Sequence, residues 1–186
     1  MVTNNKVRII LTGAQGTGKT TLMNALAGDK IKKISHIRKT AEENGIDISS
    51  VTEAGQKELY KTLKKELSSK KSYVSDRGLS CVAAYTFSGA VEGTIKKSVA
   101  DKQYLDLVKF VNNNPDVLIV YVPIEFEVEN DGVRSTDKEY QAMIDFFIKN
   151  ILETSKTPYI TVTGTVEERV AQINAALNTI KLHKSV

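Results

Sequence analysis

Eight residues near the start of the chain have the types and spacing of a phosphate-binding loop. They match G-x-x-x-x-G-K-[ST] and read Gly13-Ala14-Gln15-Gly16-Thr17-Gly18-Lys19-Thr20. The glycines permit backbone conformations that turn consecutive N–H groups inward around an anion. Lys19 is expected to reach the β- and γ-phosphates, and the Thr20 hydroxyl is expected to bind magnesium. The motif predicts binding of a nucleoside triphosphate, and a glycine-rich turn without a ligand is the alternative.

The segments on either side supply the context that this motif requires. Residues 6–12 form an apolar run typical of a buried strand, and a helix is predicted from Thr21 onward. A strand–loop–helix order directs the positive end of the helix dipole at the bound phosphate.

A second charged pair, Asp76-Arg77, follows a short predicted strand over 72–75. The carboxyl ends of parallel strands meet at one edge of a sheet, so this pair is expected beside the phosphate-binding loop. The acid could hold magnesium or take a proton from an attacking hydroxyl. The arginine could bind a phosphate or a substrate oxygen through two parallel hydrogen bonds. A surface salt bridge or a helix cap is the alternative interpretation.

A third segment, over about 125–137, follows the most apolar predicted strand and resembles a lid. It is rich in acids and contains Arg134 shortly before a predicted helix. Phosphoryl transfer spreads negative charge over the transferred oxygens, and a mobile arginine stabilises that charge. A solvated acidic loop in which Arg134 pairs internally is the alternative.

Strands and helices alternate along the whole chain. Strands are predicted over 6–12, 30–35, 72–75, 116–123 and 158–163, with helical segments between them and after the last. Residues 88–98 contain two glycines and no clear period, so they are predicted to form a mobile loop. The pattern predicts one α/β domain over 1–186, with a parallel sheet and right-handed crossovers.

Composition places the chain among ordinary globular proteins. Of its 186 residues, 41% are hydrophobic and 26% are charged, and the net charge is +4. This mild basic excess is typical of a solvated surface and does not by itself indicate nucleic-acid binding. Five of the 26 basic residues are arginines, which makes the position of each arginine more informative. One cysteine, no signal-peptide pattern and no membrane-spanning apolar run favour a cytoplasmic location without membrane association.

Taken together, these motifs resemble a known group of enzymes. The phosphate-binding loop, Ser75-Asp76-Arg77-Gly78 with Ala84-Tyr85-Thr86, Pro123-Ile124-Glu125-Phe126 and Asp131-Gly132-Val133-Arg134-Ser135 occur in its order. The chain resembles the small P-loop kinases that include the ribosylnicotinamide kinase domain of the bacterial NAD-salvage regulator. It is most similar to short AAA-domain proteins of tailed phages, which would place it in the cytoplasm of an infected bacterium.

This resemblance implies a P-loop, nucleoside/nucleotide-kinase-like α/β fold of three layers around a five-stranded parallel sheet, with ATP and Mg²⁺ as cofactors. Catalysis is then assigned to Lys19, Asp76, Arg77 and Arg134, and the metal to Thr20 and Asp76. Nucleotide binding is assigned to Gly13, Ala14, Gln15, Gly16, Thr17, Gly18, Lys19, Thr20, Thr21 and, near the adenine, Gly164. Acceptor binding is assigned to His36, Lys39, Gln56 and Tyr85.

One departure concerns the acceptor side. Relatives tend to carry Glu-x-x-Arg at the start of the second helix, where this chain has His36 and Lys39. The imidazole of His36 could replace the acid as the general base, because its ordinary pKa is near 6.5. The change could equally indicate a different substrate or no acceptor, or His36 could be a helix cap.

Three functions follow from these observations. The first is an ATP-dependent kinase acting on a hydroxyl of a nucleoside, nucleotide or related small metabolite. The second is a kinase acting on DNA, at a terminus or on a modified base. The third is a nucleotide-dependent switch or ATPase without a small-molecule acceptor. The third is disfavoured because the sequence has no D-x-x-G after a strand, no [NT]-K-x-D and no Asp-Glu pair ending an apolar strand.

Overall fold

A computed structural model of the protein describes residues 6–29, 31–35, 37–47, 50–125 and 137–183. In this part of the chain, strands and helices alternate much as the sequence predicts. The strands are β1 Arg8–Thr12, β2 Lys32–Ile34, β3 Tyr73–Ser75, β4 Leu118–Tyr121 and β5 Ile160–Thr161. The helices are α1 Lys19–Ala27, α2 Ile37–Asn44, α3 Glu53–Leu67, α4 Leu79–Val91, α5 Lys97–Asn112, α6 Lys138–Thr154 and α7 Val166–His183.

The five strands form one parallel sheet in the order β2-β3-β1-β4-β5. β1 is central and pairs with β3 through Ile10 and Ser75 and with β4 through Thr12 and Tyr121. The carboxyl ends of β1 and β3 therefore lie side by side. This register brings the residues after β1 and β3 to the same edge of the sheet, as predicted.

Helices cover both faces of the sheet, which gives three layers. Successive side chains of a strand point to opposite faces, and β1 shows the consequence. Ile10 belongs to a cluster with residues of α3, α4, α5 and α6, whereas Ile9 and Leu11 belong to a second cluster with residues of α1 and α7. All five residues of β1 are buried, as the apolar run predicts for a strand that is covered on both sides.

The predicted loop over 88–98 is wrong at both ends. Helix α4 continues to Val91 and α5 begins at Lys97, so only residues 92–96 connect them. Ser88 and Gly89 are buried in the last turns of α4. A Cβ on Gly89 would lie 2.7 Å from Cδ1 of Ile95, so the glycine is required by the close packing of that connection. These residues are small and pack tightly inside a helix, so the sequence shows no amphipathic period there.

The remaining differences are in length. β4 and β5 are shorter than the predicted strands over 116–123 and 158–163. Helix α3 begins after Thr52, whose hydroxyl accepts a hydrogen bond from the Gly55 N–H at 3.2 Å.

Among the described helices, none combines the length and apolar character needed to span a bilayer.

Candidate active site

The phosphate-binding loop lies between the carboxyl end of β1 and the start of α1. Gly13, Gly16 and Gly18 all have positive φ, at 152°, 76° and 81°. Gly18 is the N-cap of α1 in a left-handed conformation. A Cβ on Gly13 would clash with the carbonyl oxygen of Val122, at the end of β4. The loop can follow this path because glycine occupies these positions.

Lys19 lies inside this loop and is only 6% exposed. Its ammonium group donates hydrogen bonds to the Ala14 carbonyl and, at 3.0 Å, to Oγ1 of Thr17. Thr17 in turn donates to the same Ala14 carbonyl at 3.2 Å. Gly13 and Ala14 form the base of the loop, whereas the seven residues Gln15 to Thr21 line a cavity above it.

Asp76 follows β3 and lies beside the start of α1, in the place predicted for it. One carboxylate oxygen accepts hydrogen bonds from the Thr20 hydroxyl at 2.9 Å and from the Ser35 hydroxyl at 2.8 Å. The carboxyl group is largely buried, since Asp76 is 7% exposed. A carboxylate and a hydroxyl are oxygen ligands of the kind that Mg²⁺ uses together with phosphate oxygens and water. The donor set of Thr20 and Asp76 therefore fits the predicted magnesium ion.

Arg77, at the same edge of the sheet, lines the cavity above the loop and is half-buried. Burial opposes its charge, but Tyr85, Cys81 and Asp76 outweigh burial and raise the pKa of the guanidinium above its ordinary value. Arg77 therefore remains a cation. The Tyr85 hydroxyl, a hydrogen-bond partner of Arg77, also donates to Oε1 of Gln15 at 3.1 Å. Tyr85 thus connects the Asp-Arg pair with the phosphate-binding loop.

The cavity above the loop has a volume of about 1350 Å³ and extends between α2, α3, α4 and α6. Of the predicted acceptor-binding residues, Lys39, Gln56 and Tyr85 line it. Lys39 is exposed and pairs with Glu43 at 3.7 Å. Gln56 is 7% exposed, and its buried side-chain oxygen has no hydrogen-bond partner among the described residues. Apolar walls are formed by Ile37, Ile46, Val51, Leu59, Val82 and Tyr140.

Three predictions lie outside the described residues: His36, Arg134 and most of the lid-like segment, over 126–136. The two ends of that segment are described. Asp137 is the N-cap of α6 and accepts hydrogen bonds from the backbone N–H groups of Glu139 and Tyr140, at 2.9 and 3.1 Å. Glu125, at the other end, forms an ion pair with Arg169.

Glu125 pairs with Arg169, a residue for which no function is predicted from the sequence. Nη1 of Arg169 donates to the Thr17 carbonyl at 2.9 Å, and Nη2 forms an ion pair with Glu125. Both Glu125 oxygens accept from the Gly164 N–H at 3.1 Å. Gly164, predicted to lie near the adenine, is thus linked to the phosphate-binding loop, although it does not line the cavity.

A signal for Arg169 is present in the sequence. Val166, Val170, Ile173 and Leu177 have the spacing of an apolar helix face, and Arg169 lies three residues after Val166 and four before Ile173. Residues at these spacings share one face of a helix. A charged residue on an apolar face is expected to have a buried partner.

The fold is similar to that of several solved kinases. Deoxyadenosine kinase from M. mycoides, with products dCMP and a flexible dCDP bound, has a TM-score of 0.66 and 16% identity, over 94% of this chain and 100% of its own. The NadR protein in complex with NR has a TM-score of 0.64 and 14% identity, over 98% of this chain and 52% of its own. Shikimate kinase from Acinetobacter baumannii in complex with shikimate has a TM-score of 0.62 and 17% identity, over 95% and 96%. These likenesses confirm the predicted fold class.

The sequence comparisons give one family and no curated relative. No curated protein matches the chain. The model of an AAA domain family matches residues 8–169, from β1 through the start of α7. This match and the structural likeness to NadR confirm the resemblance to small P-loop kinases, while the similarity to phage proteins stays a prediction. The chain belongs to this family of AAA domains.

Proposed function

We propose that the protein is an ATP- and Mg²⁺-dependent kinase that phosphorylates a hydroxyl of a nucleoside, a nucleotide or a related small metabolite. The observation that carries the proposal is the hydrogen bond between Thr20 and Asp76. It joins the phosphate-binding loop to the acid after β3 at the edge of a cavity large enough for a second substrate. A protein that only binds a nucleotide does not need that second space.

The donor half of the proposed site is the loop itself. Bound Mg·ATP would supply a γ-phosphoryl group, whose phosphorus bonds to the acceptor oxygen as its bond to the bridging oxygen breaks. The N–H groups of the loop would hold the phosphates, and Lys19 would stabilise the charge on the β- and γ-phosphates. Thr20 and Asp76 would hold the metal.

On the acceptor side, Arg77 and Asp76 have the roles closest to the chemistry. The cationic Arg77 would orient an acceptor oxygen or a phosphate oxygen beside Tyr85. Asp76 would either act through the metal or take the proton of the acceptor hydroxyl, a role for which His36 is the other candidate. Arg134 would stabilise the transferred oxygens from the lid-like segment.

The walls of the cavity support a small acceptor with both apolar and polar parts. Apolar side chains surround much of the space, and Gln56, which also lines it, has a side-chain amide that can hydrogen-bond to a polar group of the acceptor. Lys39 lies at the wall, where it can interact with an anionic group. Apolar walls with a few polar groups are typical of small-molecule sites.

The test is transfer from labelled ATP in the presence of Mg²⁺. The acceptor panel contains deoxynucleosides, nucleotides, ribosylnicotinamide, shikimate and DNA with free 5′-hydroxyls, and a sample without acceptor measures ATP hydrolysis. We expect transfer to a small molecule, and Asp76→Asn should lower kcat by about 100-fold or more, because proton transfer and metal binding both depend on the carboxylate.

Asp101→Asn is the matched control, since Asp101 pairs with Lys97 on the surface of α5 at 2.9 Å and should leave kcat unchanged. Transfer to DNA alone would replace the small-molecule proposal with a DNA kinase. Hydrolysis without transfer to any acceptor would favour a switch or an ATPase.

A further inference from the structure

We propose that Arg169 is a positioning residue for the bound nucleotide, which it orients through the Thr17 carbonyl. The proposal rests on the nucleotide binding that the proposed function requires. Arg169 belongs to the first turns of α7, far from the loop in sequence, and is 3% exposed.

The contact with Thr17 fixes a peptide group of the loop. In a planar trans peptide the carbonyl and the following N–H point in opposite directions. Nη1 of Arg169, a residue that does not line the cavity, donates to the Thr17 carbonyl at 2.9 Å. The N–H of Gly18 is therefore directed the other way, toward the space in which the loop N–H groups converge on a phosphate. Gly18 has φ of 81°, so this orientation of the peptide group depends on a flexible glycine. The hydrogen bond from Arg169 holds the peptide group in that orientation.

The ion pair with Glu125 neutralises the charge of Arg169 and links it to a further part of the chain. The Glu125 carboxylate compensates the buried guanidinium, so Arg169 acts by orientation more than by attracting phosphate. Glu125 also accepts hydrogen bonds from the N–H of Gly164, at 3.1 Å to each oxygen. The chain Thr17–Arg169–Glu125–Gly164 thus joins the phosphate-binding loop to the turn before α7.

A second buried arginine in the same protein provides a matched control. Arg8 is also 3% exposed and forms an ion pair with Asp116. It begins β1, at the opposite end of the sheet from the loop, and binds the Asn114 side chain at 3.0 Å. Arg8 and Arg169 therefore share burial and pairing but differ in their distance from the proposed nucleotide.

The experiment compares Arg169→Gln, Arg169→Lys and Arg8→Gln in the chain of 186 residues. The dissociation constant of Mg·ATP is measured by calorimetry and the melting temperature by circular dichroism. We expect Arg169→Gln to raise the Kd of Mg·ATP by about tenfold or more, from the loss of hydrogen bonds to a charged group. Arg8→Gln should lower the melting temperature but leave this Kd unchanged. Arg169→Lys should give an intermediate Kd, because an ammonium group lacks the fork that reaches both Thr17 and Glu125.

With the acceptor identified, Arg169→Lys should raise the KM for ATP and leave the KM for the acceptor unchanged. The proposal is overturned if the variants that fold bind Mg·ATP as tightly as the wild type, even if they melt earlier. If Arg169→Gln does not fold, the Kd of Mg·ATP for Arg169→Lys alone decides the test. If the wild-type protein binds no nucleotide, the proposed function fails and this proposal with it, a result that is distinct from equal binding by wild type and variant.

Discussion

Gly13 shows how a single residue fixes the path of the phosphate-binding loop. Its φ of 152° is unfavourable for other residues, and its Cα faces the carbonyl of Val122 at the end of β4. The Val122 N–H in turn donates to the Thr12 carbonyl at 2.8 Å, so neither strand end can move away easily. The first glycine of the motif is therefore needed for packing as well as for backbone conformation.

Gly13→Ala should destabilise the protein strongly, because the new methyl group meets backbone atoms of Val122, which directly follows β4 and is hydrogen-bonded to β1. We expect a loss of about 3 kcal/mol or more in the free energy of unfolding, measured by urea denaturation. Gly93→Ala is the control. Gly93 also has a positive φ, of 79°, but a Cβ there has no heavy atom within 4 Å, so the cost should be about 1–2 kcal/mol. Equal losses for the two variants would contradict the role given to Val122.

The residues of the site differ in how far the sequence reveals them. The loop is a local motif, so its residues could be identified directly, and Asp76 followed from the rule that parallel strands end at one edge. The contact of Arg169 with Thr17 joins residues that are 152 positions apart. It depends on which turn of α7 lies over the loop, and sequence spacing does not determine that. The same reason explains why the ion pair between Arg169 and Glu125, a residue of the predicted lid-like segment, could not be predicted from the sequence.

At the scale of elements, α7 positions Arg169 through its own N-terminus. Thr165 and Glu168 form a capping box: the Thr165 N–H donates to the Glu168 carboxylate at 2.7 Å, and the Glu168 N–H donates to the Thr165 hydroxyl at 3.2 Å. This pair fixes the residue next to Arg169 in the helix.

The end of α4, over residues 88–91, is determined by packing and not by a local cap. It packs against Ile95, and the local sequence did not predict it.

The capping box should give α7 a pH-dependent contribution to stability. The hydrogen bonds from the backbone and side chain of Thr165 lower the pKa of Glu168 below its ordinary value of 4.5. A group with a lowered pKa in the folded state stabilises the protein above the unfolded pKa and ceases to do so as pH falls through the folded value. Glu168→Gln should therefore melt earlier than the wild type at pH 7, and the difference should shrink as the pH falls below 4.5, through the lowered pKa of the folded state. Glu167→Gln, one residue away, is the control, and a pH-independent difference for Glu168→Gln would contradict this explanation.

At the scale of the whole molecule, the sheet gathers contacts from most of the chain around the loop. From α6, Gln141 donates to the Gln15 carbonyl at 2.7 Å, and from α4, Tyr85 donates to the Gln15 side chain. From α7, Arg169 binds Thr17. Two of these elements, α4 and α6, also form walls of the cavity, and they are thus hydrogen-bonded to the loop that would hold the phosphates. Binding of a nucleotide should consequently stabilise the folded chain as a unit.

This coupling leads to an expected melting shift. A ligand that binds only the folded state at 100 times its Kd adds about 2.7 kcal/mol to the free energy of unfolding. For a chain of 186 residues that corresponds to a rise in melting temperature of about 5–11 °C. Mg·ATP should produce this shift, and ATP with EDTA a smaller one, because Thr20 and Asp76 would then act without the metal. Lys19→Ala should abolish the shift, and comparing each variant with its own ligand-free form separates this effect from the loss of the contacts of Lys19 with Ala14 and Thr17. A full shift in Lys19→Ala would mean that the nucleotide binds elsewhere, because the affinity of the loop for a phosphate depends on the positive charge of Lys19.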